Sequence, residues 1–94
     1  MLEKITVLQL KENIIIKGIN TKFWALDTET GTQYKLNELS FDILSSLDGI
    51  KTVEQIIEEQ SAYYDIQKEI LSSDVVSFLH IALSKNIIKE VGHK

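Results

Sequence analysis

The sequence predicts an α+β domain, a three-stranded antiparallel meander followed by three helices, with a winged helix-turn-helix-like outline. Two observations carry this prediction. Up to Leu36 the apolar residues fall in short runs separated by turn residues, and beyond Asn37 they recur at intervals of three and four. A third observation bounds it: 94 residues, 44% hydrophobic and 26% charged, supply one modest core. Residues 1–94 are therefore read as a single domain.

Ile14-Ile15-Ile16 is a β-branched run between Asn13 and Gly18, and Phe23-Trp24-Ala25-Leu26 is a second apolar run after the turn residues Asn20 and Thr21. Both predict strands. Thr28-Glu29-Thr30-Gly31 supplies a turn in which Gly31 suits a left-handed backbone, and Tyr34 and Leu36 then alternate with Gln33 and Lys35. This gives a third strand, Thr32 to Leu36, antiparallel to the second. Ile5 to Leu10 can add extended chain, on a weaker pattern.

Asn37 is placed to cap the first helix, whose stripe is Leu39, Ile43, Leu44 and Leu47, and Gly49 can end it in a left-handed cap. Thr52-Val53-Glu54-Gln55 has the form of a capping box and opens a second helix carrying Ile56 and Ile57. A third helix spans Lys68 to Lys85, with Leu71, Val75, Phe78, Leu79 and Ala82 on one face and Asn86 as its stop. Its N-cap stays open between Asp65 and Gln67. Ile87, Ile88 and Val91 form an apolar tail that can fold back onto the core. Pro is absent and the four Gly are scattered, so neither a linker nor a repeat is predicted.

Composition excludes several functions. The chain has no Cys, which removes disulfides, thiolate metal sites and thiol nucleophiles. It has 10 basic and 14 acidic residues, net charge −4, and every basic residue is Lys, a poor set for gripping phosphates. No apolar run approaches the roughly 20 residues that span a bilayer, and Met1 to Leu10 lacks a signal-peptide layout, so a cytoplasmic location is expected. His80 lies almost opposite the third helix's apolar stripe, His93 sits in the tail, and Asp27 and Glu29 flank a turn, where a metal would want more oxygen ligands. Neither a catalytic constellation, a metal site nor a cofactor is expected, and the protein is read as a non-enzyme. A winged-helix DNA binder shares the outline, yet the third helix carries Asp74 in its middle and no Arg to read a base edge.

One consequence of the predicted order points to binding. The third strand runs directly into a helix, so the chain cannot extend its sheet further, and an open edge offers unpaired backbone donors and acceptors. Beside it the third helix presents a shoulder of Ile70, Asp74, Ser77 and Ile81.

The ordered set "ALDTETGTQYKLNELSFDIL", "LDGIKTVEQI" and "DVVSFLHIAL" resembles the PqqD-like family, the precursor-peptide recognition elements of ribosomally synthesised, post-translationally modified peptide biosynthesis. The likeness runs from about Ile14 to Val91; it departs at Asn86, where the family usually has Gly. The resemblance implies that a precursor's leader segment adds as an antiparallel strand to the third strand, its side chains entering a groove against the third helix. It thereby implies a peptide-binding set of Thr32, Gln33, Tyr34, Lys35, Leu36, Ile70, Asp74, Ser77, Phe78 and Ile81, with Tyr34, Leu36 and Phe78 divided between groove and core. It also implies action in trans, with the leader handed to a separate enzyme such as a radical S-adenosylmethionine protein or a leader peptidase. A general protein-interaction module without leader specificity is the alternative from another class.

Overall fold

The structure is a computed structural model that describes residues 2–93, with side chains as far as Val91. The meander is built from β2 (Ile14–Ile19), β3 (Lys22–Asp27) and β4 (Gln33–Leu36), preceded by β1 (Thr6–Leu10). β3 is central. It pairs antiparallel with β2 from Ile14↔Asp27 to Ile19↔Lys22 and with β4 from Phe23↔Leu36 to Leu26↔Gln33. Asn20 makes the first turn at φ 58° and Gly31 the second at φ 77°, where a residue with a Cβ is strained.

Asp27 fixes the second turn. Its carboxylate accepts from Asn13 Nδ2 at 2.9 Å and from the Glu29 N–H at 2.9 Å, while its carbonyl accepts the Gly31 N–H at 2.7 Å. The Asn13 hydrogen bond, with help from the Glu29 and Thr30 amides, holds the Asp27 carboxyl below the usual range.

Helix α1 (Glu38–Ser46) starts where the sequence places it, with Asn37 Oδ1 accepting the Ser40 N–H at 2.8 Å. Its end differs. The helix stops at Ser46 and the chain enters β5 (Asp48–Thr52), so Gly49 lies in a strand and not in a helix cap. The left-handed φ of 77° at Gly49 was legible; its cause is a shift in the β1–β5 register, where a Cβ would stand 2.6 Å from Gln9 Oε1. Thr52 and Gln55 then exchange the two hydrogen bonds of a capping box, 3.2 and 2.9 Å, to open α2 (Val53–Tyr64). Asp65 ends α2 in the left-handed region, and α3 (Lys68–Ser84) begins at Gln67 without a side-chain cap. Asn86, at φ 60°, stops α3 and turns the chain into β6 (Ile88–His93).

β6 pairs with β1, and β1 with β5, giving a second antiparallel sheet in the order β5-β1-β6 beside the meander's β2-β3-β4. The predicted tail thus folds back, burying Ile87 and Ile88 but leaving Val91 exposed. Periodicity gives little sign of this sheet. Thr6, Val7 and Leu8 are buried consecutively rather than alternately, and β6 carries Lys89 and Glu90.

The core lies between the sheets and the helices, with Leu8, Ala25, Ile43, Leu44, Ile56, Leu71, Val75, Leu79 and Ala82 almost wholly buried. The meander contributes one face to it. Ile14, Ile16, Phe23, Ala25, Tyr34 and Leu36 point inward under α1, and the other face, with Ile15, Lys17, Trp24 and Lys35, belongs to no part of the core.

Candidate functional site

Among the described residues β4 has a neighbour on one side only. The direction of its backbone groups follows from two hydrogen bonds just beyond the strands. The Asp27 N–H donates to the Thr32 carbonyl at 2.9 Å, and the Thr28 N–H donates to the Asn13 carbonyl at 2.8 Å. Antiparallel ladders alternate with period two, so in β3 the odd residues bond β4 and the even residues bond β2. Ala25/Tyr34 and Phe23/Leu36 are hydrogen-bonded pairs, whereas Leu26/Gln33 and Trp24/Lys35 are not. The N–H and C=O groups of Gln33 and Lys35 therefore point out along the free edge, and those of Tyr34 are committed to β3.

Side chains follow the other alternation. Tyr34 is half-buried and Leu36 buried on the helix side, while Thr32, Gln33 and Lys35 are exposed. Tyr34 is held by the end of α3, with Lys85 Nζ 5.7 Å from its ring centroid.

Beside the edge lies a groove of about 310 Å³. The start of α1 supplies Asn37, Leu39, Ser40 and Ile43, and the facing wall is Asp74, Ser77, Phe78 and Ile81 of α3. Four of the sequence-predicted residues thus meet in one concavity. Phe78 lines the groove and also packs on the core. Ile81 is 51% exposed although apolar, which an interior role would not explain. Ile70, 59% exposed, lies on the same side of α3 but outside the groove lining. The residues of α1 were missed from the sequence. Their signal was the absence of any loop between strand and helix, which sets the first turn of α1 against the end of the edge strand.

The outer side of β4 is concave as well. A depression of about 540 Å³ is lined by Lys22, Trp24, Gln33 and Lys35 among others. β2 is the meander's other edge, and its Ile14 N–H is taken up locally by the Lys11 carbonyl.

Among the described residues no group of His, Asp and Glu can hold a metal ion, and His80 is exposed on the far side of α3 from its buried stripe. No helix is long and apolar enough to cross a membrane among the described residues.

The site is thus the unpaired β4 edge of a small sheet, flanked by a groove against a long helix. The chain belongs to the family of the coenzyme PQQ synthesis protein D, whose family model matches residues 24–88. None of the curated proteins matches the sequence significantly. Solved structures show the same fold. The PqqD truncation of Methylobacterium extorquens PqqCD, described as a functional, stand-alone recognition element, superposes with a TM-score of 0.80 at 21% identity, covering 95% of each chain. TbiB1 in complex with the TbiA(beta) leader peptide gives 0.75 at 22% identity over 86% of this chain and 94% of that one. A lasso peptide synthetase B1 complexed with its leader peptide gives 0.74 at 13% identity over 87% and 96%.

Proposed function

We propose that this protein binds the leader segment of a ribosomal precursor peptide by strand addition to β4 and presents it to a separate modifying enzyme or leader peptidase in the cytoplasm. The observation that carries the reading is the outward backbone of Gln33 and Lys35 beside an apolar groove. An added strand satisfies those four polar groups, and its side chains alternate between the groove and the outer face. Family membership supports the reading, as do the leader peptides seen with two proteins of this fold. Selectivity on the groove side comes from Ile81 and Phe78, which take an apolar side chain, and from Asp74 and Ser77 at the rim. The chain contributes no catalytic group, and its partner supplies the chemistry, a radical S-adenosylmethionine protein being one such enzyme.

Amide exchange tests this directly. On addition of a precursor peptide, the Gln33 and Lys35 amides should become protected, while the Tyr34 amide, already bonded to β3, should change little. Equal exchange at Gln33 and Lys35 with and without bound peptide would overturn strand addition.

A further inference from the structure

The outer face of the meander is the second wall of the site, and its charge is opposite to that of the protein as a whole. Lys17, Trp24 and Lys35 form one rung across the three strands, since Lys17 pairs with Trp24 and Trp24 with Lys35. Lys22 stands on the same face, two residues before Trp24 in β3. Lys51, Lys68 and Lys89 are each in an ion pair, whereas Lys17, Lys22 and Lys35, like Lys4, Lys11 and Lys85, are in none among the described residues. Three unpaired cations thus surround Trp24 in a chain of net charge −4. The face carries apolar surface too, with Ile15 45% and Ile19 58% exposed.

A strand on the free edge of β4 extends each rung by one residue. The residue opposite Lys35 lands on this outer face, in the hydrogen-bonded position, with its Cβ about 5.5 Å from that of Lys35 or closer. The residues opposite Tyr34 and Leu36 fall on the groove side, against Ile81 and Phe78. Opposite Gln33 the neighbour is an uncharged amide. The alternation has a simple complement, and it rests on the strand-addition reading above.

We infer that the peptide taken by this protein carries an acidic residue opposite Lys35, between two apolar residues that enter the α3 groove, with an uncharged polar residue two positions from the acid, opposite Gln33. Asp or Glu there completes the rung that Lys17, Trp24 and Lys35 begin. A basic residue meets the Lys35 cation directly. The acid also gives orientation, because the Lys35 and Gln33 rungs differ in charge and so fix the register of a strand whose backbone bonds alone would allow slippage by two.

A displayed library of random twelve-residue peptides, selected on the intact protein and again on Lys35→Glu, tests the inference. The wild type should enrich sequences of the form apolar, Asp or Glu, apolar. A synthetic peptide of that form should bind about 1.4- to 5-fold more tightly than its Gln counterpart, the span of one cross-strand ion pair. The Lys35→Glu protein should enrich Lys or Arg at the same position and prefer the Lys peptide. Peptides bound at the β4 edge with the apolar alternation but no acidic preference, or with one that Lys35→Glu leaves unchanged, would overturn the inference and leave strand addition standing. Recovery of no β4-binding peptide would instead sink strand addition, and the inference with it.

Discussion

Proline scanning of β4 separates the two roles of its backbone. Gln33→Pro removes an N–H that faces the free edge and sets a ring in the path of an arriving strand; Tyr34→Pro removes an N–H committed to β3. At Gln33 the fold loses nothing it uses, so the melting temperature should stay within a few degrees of wild type. Peptide binding should lose the Gln33 donor and the acceptor bond the ring obstructs. Two net backbone hydrogen bonds at about 0.5–1.5 kcal/mol each give roughly 1–3 kcal/mol, a weakening of about 5- to 150-fold. Tyr34→Pro should cost the fold about 3 kcal/mol or more through the broken ladder and the lost ring packing, a fall of more than about 12 °C for a domain of this size. Circular dichroism melts and calorimetric titration with a peptide recovered by selection measure both, and Gln33→Ala separates side chain from backbone. A folded Gln33→Pro protein that binds at full strength would refute the assignment of the outward edge.

Ile81→Glu should fold, because the residue is half-exposed on the outside of α3, yet bind peptide at least about tenfold more weakly, since it sets a charge where an apolar side chain must lie; unfolding on substitution would show that Ile81 is structural. Affinity for duplex nucleic acid should be weak, as the three lysines around Trp24 offer few phosphate contacts and no Arg against a net charge of −4; a tight, salt-sensitive mobility shift would contradict this. Asp27 has a folded-state pKa depressed by Asn13 and two turn amides, so its contribution to stability is fully present above the ordinary Asp pKa of about 4 and is lost as pH falls through the folded value. Asn13→Ala should therefore flatten the decline in melting temperature below about pH 4, and an unchanged profile would show that the Asn13 contact does not set the titration.

The meander, the three helices and their caps were readable because local chemistry there agrees with the fold. Asn37, the Thr52–Gln55 pair, Gly31 and Asn86 each do in the structure what their residue type favours. The second sheet was not readable, since its pairing joins residues up to 87 positions apart, Thr6 with His93, and neither partner shows strand alternation. The short Asp48–Thr52 strand was hidden because Asp-Gly after a helix also reads as a helix stop, and Asp48 accepting the Ile50 and Lys51 amides looks the same in either setting. The strand β4 and the groove-lining Asp74, Ser77, Phe78 and Ile81 of α3 could be named from the sequence. Which amides of β4 face outward could not, because that parity depends on the long-range bonds at Thr32 and Asn13.

The β5-β1-β6 sheet is also the least local part of the fold. The meander is made of neighbours in sequence, but three strands with one covered face are marginal alone, and the wall of the groove is α3, near the end of the chain. β1 is the central strand of the second sheet, and its pairing with β6 joins residues up to 87 positions apart, beside the buried Ile87 and Ile88. Contacts so far apart in sequence close late relative to a hairpin, so substitutions that weaken the β1–β6 pairing should slow folding more than those in the β2–β3 turn.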